Sequence, residues 1–213
     1  MPINIYHTSF NTPLQEDVFS SLLSQMPDYI CRKVLAYRRW QDKHASLLGR
    51  HLLIKAMSDE GYKADLHKIK YTAEGRPYLP GLPDFNISHA GNRVVCVLST
   101  DGRVGIDIEE IKLIDPKDFM LCFSPGEWHN IMDGETSLLT FYKYWTIKEA
   151  ILKADGRGIC GSLPSLDVTQ HPIVMLDKQH WHVEEIAAFT NYICHVASVG
   201  KVNNYQIQQV NYY

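Results

Sequence analysis

Two carboxylates, Asp107 and Glu109, are separated by one residue in a stretch where polar and apolar residues alternate. Val104, Ile106 and Ile108 fill the apolar positions, so the period of two predicts a β-strand with an apolar and an acidic face. The two carboxylates would then point the same way, roughly 6–7 Å apart. A hard divalent cation such as Mg²⁺ is the expected occupant, because it prefers oxygen ligands and keeps waters that a phosphate can replace. An edge strand with a solvated acidic face is the alternative.

A second acidic and basic pair lies on the best-formed predicted helix, residues 137–154, which closes at Gly156. One face of this helix is apolar and predicts core contacts, whereas the other mixes aromatic and charged residues: Tyr142, Trp145, Thr146, Glu149, Leu152 and Lys153. Glu149 and Lys153 are four residues apart, as in a surface ion pair worth about 0.2–0.5 kcal/mol. The aromatic neighbours favour a partly buried interface that holds a ligand, a metal or a permanent ion pair.

The densest basic region lies in residues 28–57, which are predicted to be mostly helical. Six of its cations fall within nineteen residues: Arg32, Lys33, Arg38, Arg39, Lys43 and Arg50. In a continuous helix, Arg32, Arg39 and Lys43 would share one face, which is either solvated or binds an anion. An anionic ligand must rely on a local cluster of this kind, because the chain as a whole has a net charge of −3.

The composition is that of a globular protein: 213 residues, 45% hydrophobic and 21% charged, enough for one large domain or two small ones. Five cysteines without a CxxC pair predict reduced thiols in a cytoplasmic protein: Cys31, Cys96, Cys122, Cys160 and Cys194. The N-terminus lacks the features of a signal peptide, and no stretch approaches the roughly 18 apolar residues of a membrane helix. We therefore expect neither nucleic-acid nor membrane binding.

The remaining pattern predicts a helix over 14–26 and short strands over 3–6, 69–71, 85–89, 94–98, 166–168, 181–185 and 192–199. Ser124, Pro125 and Glu127 predict a helix start with Ser124 as N-cap. Residues 1–103 and 104–213 each contain a helix followed by strands. We expect an α+β fold of two similar halves related by a pseudo-twofold axis, each a small, mainly antiparallel sheet packed on a long helix. An anionic ligand and a metal would meet at the seam, the boundary between the two halves.

Several short motifs resemble those of the 4′-phosphopantetheinyl transferase superfamily. In chain order they are LLGR (47–50), GRP (75–77), NISH (86–89), VGIDIE (104–109), FSPGE (123–127) and WTIKEAILK (145–153). The matches run from about residue 38 to residue 155. The length and the first-half motifs are similar to the surfactin-synthetase-activating type, a pseudodimer in one chain. They differ from the half-length, trimeric holo-acyl-carrier-protein synthase type.

The resemblance implies a reaction. The phosphopantetheine arm of coenzyme A would be transferred to a serine of an apo acyl, peptidyl or aryl carrier protein, with release of adenosine 3′,5′-bisphosphate. It implies Mg²⁺, with Mn²⁺ as a possible substitute, held by Asp107, Glu109 and Glu149 against the pyrophosphate. Glu149 is also the candidate base for the serine proton, so its role as ligand, base or both stays open. Lys153 would neutralise the pyrophosphate and assist the leaving oxygen. A catalytically silent protein that binds coenzyme A or a carrier is the alternative.

The resemblance also implies contacts with the phosphates of coenzyme A. Arg76, Ser88 and His89 lie in motifs that form this site in relatives, and Lys153 would add a further contact. Glu127 matches a motif position as well, where it either caps its helix or serves the site. We expect the protein to work as a monomer.

The resemblance also implies which residues bind the 3′-phosphate of coenzyme A. Lys43 and Ser46 lie where the family holds this group, with Arg38 or Arg39 nearby. The chain departs from the family at Ala45, where a basic residue is common. The clamp must therefore rely on the neighbouring cations, and tolerance of dephospho-coenzyme A becomes an open question.

Overall fold

A computed structural model describes residues 2–134, 136–158, 163–202 and 204–212. The chain forms two four-stranded sheets, each packed against one long helix, so the predicted α+β class is confirmed. Among these residues, no helix combines the length and apolar character needed to cross a bilayer. Cys31, Cys96, Cys122 and Cys194 are free thiols, and Cys160 lies outside the described residues.

The first half supplies three helices and five strands. In chain order these are β1 (Pro2–Ser9), α1 (Glu16–Ser24), α2 (Asp28–Ala36), α3 (Trp40–Asp59), β2 (Lys70–Tyr71), β3 (Pro77–Tyr78), β4 (Asp84–Ala90) and β5 (Arg93–Ser99). A 3-10 turn at Leu66–Lys68 precedes β2. Strands β2 and β3 form a separate two-stranded hairpin.

The prediction that residues 28–57 are mostly helical is confirmed, but one break divides the stretch into two helices. Tyr37 and Arg39 have extended backbone, with ψ of 139° and 135°, so α2 and α3 are separate helices. At the break, the partly buried indole of Trp40 packs edge-on against Phe10, with 5.7 Å between ring centroids. Arg32 therefore does not share a helical face with Arg39 and Lys43.

The second half begins with β6 (Val104–Glu110) and a 3-10 helix at Pro116–Cys122. It continues with α4 (Pro125–Asp133), α5 (Ser137–Asp155), β7 (Ile173–Leu176), β8 (Gln179–Glu185), β9 (Tyr192–Ser198) and β10 (Asn204–Gln209). The predicted start of α4 is confirmed, because Ser124 and Glu127 form a capping box. Gly156 closes α5 in the left-handed conformation, with φ of 92°.

No strand forms at residues 166–168, so that prediction is wrong. Leu166 and Val168 are fully buried in the core beside α5. The backbone N–H of Val168 donates to the Glu127 carboxylate at 2.8 Å instead of to a neighbouring strand. A buried apolar run without a β ladder explains why its pattern resembles a strand.

The first sheet has the strand order β10–β1–β5–β4, and the second has β6–β9–β8–β7. Neighbouring strands in both are antiparallel, apart from β10, which pairs in parallel with β1. The predicted division into residues 1–103 and 104–213 therefore assigns β10 to the half whose sheet it does not join. The chain returns across the molecule to complete the first sheet.

Strand β6 is buried on both faces. Ile106 and Ile108 enter an apolar cluster between the two sheets, together with Ile5, Val97 and Val196. The opposite face lies against α5, where Asp107 is only 3% exposed. The alternative of a solvated acidic face is therefore wrong for Asp107.

Glycine permits a close contact between helix and strand in each half. A Cβ on Gly105 would collide with the backbone of Ala150 and Ala154, so β6 lies directly on α5. A Cβ on Gly49 of α3 would lie 2.9 Å from Ile87 of β4. In the second half the glycine lies in the acidic strand itself, which holds Asp107 beside the helix that carries Glu149 and Lys153.

Candidate active site

The seam runs along β4 and β6, the edge strands of the two sheets. These strands are joined by side chains in place of a main-chain ladder. Asp84 and Asn86 of β4 accept hydrogen bonds from the backbone N–H groups of Val104 and Ile106, each at 2.9 Å. The edge donors of β6 are therefore satisfied, and its position is set by alternate residues of β4.

Ser88, the next residue on that face of β4, reaches Asp107. Its hydroxyl donates to Asp107 Oδ1 at 2.9 Å and accepts from Lys153 Nζ at 3.1 Å. Lys153 Nζ also forms a short ion pair with Asp107 Oδ1. The three predicted site residues thus form one hydrogen-bonded cluster built from β4, β6 and α5.

Two further carboxylates face this cluster. Burial, followed by repulsion from Asp107, raises the pKa of Glu109 to about 7. Burial raises the pKa of Glu149 to about 7, although the attraction of Lys153 opposes the shift. Burial also lowers the pKa of Lys153, but Asp107 and both glutamates outweigh it, so the net pKa lies above the ordinary value. Burial also raises the pKa of Asp107, although Lys153 opposes the shift. Three acids share one ammonium, so the cluster becomes more negative as the pH rises through about 7.

The donor set fits a hard divalent cation in its chemistry. Asp107 Oδ2 is buried and has no hydrogen-bond partner among the described residues. An unpaired buried carboxylate oxygen is costly unless a cation or donor reaches it. In the part of the chain that is described, however, no three acidic, His or Cys side chains converge into a ready-made metal site. Lys153 provides the positive charge at Asp107 Oδ1 in this arrangement.

A cleft of about 310 Å³ opens beside the cluster on the first half. Its walls carry three cationic or titratable basic side chains, Lys33, Arg50 and His89, and three tyrosines, Tyr29, Tyr37 and Tyr71. No acidic residue is among the described residues that line it. We call this the cationic cleft. Positive side chains beside flat aromatic rings suit an anionic ligand that also carries a ring.

Arg50 is more buried than Lys33, the other Lys or Arg side chain of the cleft. Its guanidinium donates to the backbone oxygen and the hydroxyl of Ser46, at 2.8 and 3.2 Å. Burial lowers the pKa of Arg50 from its ordinary value, which reflects the cost of removing its charge from water. Among the described residues, it forms no ion pair within 4 Å. An anionic ligand would relieve this cost.

His89 connects the cationic cleft to the acidic cluster. Desolvation of the ring and the positive charge of Lys153 lower its pKa, although the residue keeps an exposed surface. Asp107 of the cluster and Arg50 of the cleft both act electrostatically on this ring. His89 therefore lies between the two regions, and its contact with a phosphate of coenzyme A stays a prediction.

The other predicted phosphate contacts are placed differently. Arg38 and Arg39 are exposed at the break between α2 and α3, and Arg39 lines a separate cleft with Trp40 and Arg93. Ser46 is 2% exposed and its hydroxyl is bonded to Arg50. Neither these residues nor Lys43 is among the lining of the cationic cleft.

Lys33 and Arg50 are the residues whose role in the site the sequence reasoning missed. Both belong to the basic region, and Arg50 follows Ser46 by four residues, which places the two on one face of α3. That spacing was the sequence signal that could have placed Arg50 near the site. The direction of each side chain depends on the β2–β3 hairpin that completes the cleft, which no local pattern reveals.

A buried ion pair supports the site from behind α5. Lys148 and Glu127 are fully buried and lie 2.7 Å apart. Lys148 also donates to the backbone oxygens of Leu163 (2.6 Å) and Cys122 (3.2 Å). Glu127 accepts from the backbone of Ser124 at 2.7 Å, so its contacts are structural. Lys148 therefore anchors the helix that presents its neighbour Glu149 on the other side.

A sequence profile described as the 4′-phosphopantetheinyl transferase superfamily matches residues 103–208. The chain is similar to the 4′-phosphopantetheinyl transferase Sfp of Bacillus subtilis (strain 168). The two are 31% identical over 178 residues, which cover 79% of this chain and 77% of the relative. The chain is also similar to the 4′-phosphopantetheinyl transferase gsp of Aneurinibacillus migulanus. These two are 30% identical over 209 residues, which cover 92% of this chain and 86% of the relative.

Two mainly antiparallel sheets that enclose an acidic cluster with one lysine define an α+β protein with a site between its halves. This architecture and the extent of the matches together identify the family of the chain. The chain belongs to the 4′-phosphopantetheinyl transferase superfamily.

Proposed function

We propose that the protein transfers the 4′-phosphopantetheine arm of coenzyme A to a serine hydroxyl of an apo carrier protein. Adenosine 3′,5′-bisphosphate is the second product, and the reaction depends on Mg²⁺, with Mn²⁺ as a substitute. The supporting observation is the junction of two regions at His89. A cleft with cations and no lining acid adjoins a cluster of three carboxylates and one lysine.

In this proposal the first half binds the nucleotide of coenzyme A. Lys33 and Arg50 contact a phosphate, and the tyrosines of the cleft pack against the adenine. Ser46, Lys43, Arg38 and Arg39 keep the role of a 3′-phosphate clamp only if they rearrange when the nucleotide binds. Ser88 and His89 then direct the pyrophosphate towards Lys153.

The second half carries out the transfer. The serine oxygen of the carrier forms a bond to the phosphorus that bears pantetheine, and the pyrophosphate P–O bond breaks. Glu149 takes the serine proton, because a carboxyl with a pKa of about 7 is a competent base near neutral pH. Lys153 remains protonated and neutralises charge on the departing phosphate.

A magnesium ion held by Asp107, Glu109 and Glu149 would supply the remaining positive charge on the pyrophosphate. Asp107 Oδ2, which lacks a partner, is the oxygen best prepared to receive it. Proton and metal compete for the two glutamates, so metal affinity should rise with pH through about 7.

The carrier would approach a surface beside the acidic cluster. The segment that follows β6 exposes three large apolar side chains: Leu113, Met120 and Leu121 are 95%, 51% and 87% exposed. Exposed apolar residues grouped in one segment are typical of interaction surfaces. We expect Leu121→Ser to raise KM for the carrier without changing KM for coenzyme A.

The test is incubation with coenzyme A, Mg²⁺ and a panel of apo acyl, peptidyl and aryl carriers, followed by intact mass measurement. One phosphopantetheine added per carrier is the expected result, and EDTA should suppress it. An unmodified panel would reject the proposal. Coenzyme A calorimetry then separates a silent binding protein, which would bind the nucleotide without transfer, from a protein with another activity.

The identity of the carrier, a monomeric state and cytoplasmic localisation remain predictions from the sequence. The pseudo-twofold relation between the halves is also a proposal. It is supported by the long helix and the four-stranded sheet on each side of the seam, with β10 of the second half completing the first sheet.

A further inference from the structure

Arg76 crosses the seam with its guanidinium bonded to protein groups. Two of its nitrogens donate to the Asp84 carboxylate, at 2.8 and 2.6 Å. Its Nε donates to the backbone oxygen of Lys153 at 2.8 Å, and one terminal nitrogen also donates to that of Val104 at 3.0 Å. The residue is 7% exposed. A bidentate, buried arginine of this kind fixes geometry more strictly than a lysine could.

Asp84 completes the arrangement from the other side. Asp84 Oδ2, which accepts the 2.6 Å hydrogen bond from Arg76, also accepts the backbone N–H of Val104 at 2.9 Å. Both backbone polar groups of Val104, the first residue of β6, are therefore held by this pair. The pair thus joins β4 to the start of the acidic strand and to the last turn of α5.

The backbone on either side of Arg76 has a different role. Gly75 and Pro77 line the cationic cleft, whereas Arg76 is not among the lining residues. Its side chain instead lies over the end of α5, where a Cβ on Gly156 would come within 2.9 Å of Arg76 Cδ. A cation at the exposed carbonyls of a helix C-terminus is favourable. The turn that carries Arg76 therefore connects the cleft wall to the helix end beside Lys153.

We propose that Arg76 and Asp84 form a positioning pair that aligns Lys153 and Asp107 with the nucleotide in the cationic cleft. This inference rests on the proposed transfer reaction. It replaces the expectation from the family motif that Arg76 contacts a phosphate of coenzyme A. Neither residue touches the reacting atoms, and both act through the backbone at Val104 and Lys153.

Kinetics of Arg76→Lys, Asp84→Asn and the double variant test the proposal. Loss of alignment should lower kcat about 10- to 100-fold and change KM for coenzyme A less than about twofold. The double variant should be no worse than the singles, because each already breaks the same pair. Asp101→Asn, an exposed residue in the turn before β6, serves as the matched control and should behave as wild type.

The opposite pattern would overturn the proposal. If Arg76 binds a phosphate, Arg76→Lys should raise KM for coenzyme A in a salt-dependent way. Asp84→Asn would then release the arginine and lower KM, or leave it unchanged, with no loss of kcat. The effect of Asp84→Asn on kcat separates the two roles: the positioning role predicts a lower kcat, and the phosphate-binding role predicts an unchanged kcat. A higher KM is not expected from phosphate binding, since removing an anion should never weaken the binding of a polyanion.

Hydrogen–deuterium exchange provides a readout that does not depend on turnover. Each variant should exchange faster than wild type in Val104–Glu110 and in the last turn of α5, while α3 stays unchanged. Protection at wild-type levels in all variants would contradict the positioning role. This result stands even if the wild-type protein transfers nothing, so failure of the proposed function and failure of this inference remain distinguishable.

Discussion

The two long helices, α3 and α5, have the same structural role but differ in the charged side chains that they place at the site. Helix α3 packs on the first sheet and α5 on the second, and both are buried on most sides. On the face of α3 towards the cationic cleft, Arg50 has no acidic partner among the described residues. On the face of α5 towards the seam, Glu149 and Lys153 join Asp107. In the proposed reaction, the first of these helices serves anion binding and the second serves catalysis with carboxylates.

The difference also affects stability. The second half tolerates three carboxylates around one ammonium, which costs stability when all are ionised. It compensates behind α5 with a fully buried and hydrogen-bonded pair, Lys148 and Glu127. In the first half, the main electrostatic cost is the partly desolvated Arg50. A ligand that bridges the halves would relieve both.

The largest expected effect is a loss of turnover, and it should arise at a carboxylate of the second half. Glu149→Gln keeps the shape of the side chain but removes the base, so transfer should fall by about 10²- to 10⁴-fold. Glu184→Gln, an exposed change on β8, is the matched control and should retain the wild-type rate. Intact-mass assays of carrier modification measure both. A Glu149→Gln rate within tenfold of wild type would remove Glu149 from the mechanism.

The next effect is on stability and compares two lysines of α5. Lys148→Met leaves Glu127 buried without its partner and should cost about 3–5 kcal/mol. Lys143→Met removes a partly exposed pair with Glu185 at 3.9 Å and should cost less than about 1 kcal/mol. Urea unfolding measures the two. Equal losses would mean that the pair behind α5 is not a special anchor.

A smaller effect is the pH dependence of stability in the absence of divalent cations. The pKa values of Glu109 and Glu149 are raised in the folded state, so folding binds protons between about pH 4.5 and 7. Their contribution to stability is present at low pH and is lost as the pH rises through about 7. Glu149→Gln removes one such group, so at pH 8 in EDTA its Tm should exceed that of wild type by about 2–8 °C. A Tm below wild type under these conditions would refute the assignment of repulsion to this cluster.

Much of the second half could be predicted from the sequence. The alternation at 104–109, the helical wheel of α5 and the cap at Ser124 are local patterns, and each is confirmed. The strand and helix patterns selected Asp107, Glu149 and Lys153, and the family motif NISH of the first half selected Ser88 and His89. The structure brings these residues together. Here local periodicity and the motifs of the family point to the same residues.

The first half was harder to predict because its features depend on distant contacts. The break before Trp40 accompanies packing of its indole against Phe10, thirty residues earlier. Strand β10 joins β1 from the other end of the chain, and register at that distance leaves no local trace. Arg50 and Arg76 illustrate the same limit, since sequence shows their charge but not whether each side chain turns towards the cleft or the seam.

The division of labour between the halves is tested most directly by titrating coenzyme A into two variants and following the heat of binding. Arg50→Ala should weaken binding about 10- to 100-fold, as expected for loss of a charge-assisted contact. Glu149→Gln should bind within about threefold of wild type while remaining inactive. Arg39→Ala should also bind normally, because its side chain lies outside the cationic cleft. Full affinity in Arg50→Ala together with lost affinity in Arg39→Ala would contradict the placement of the nucleotide in the cationic cleft.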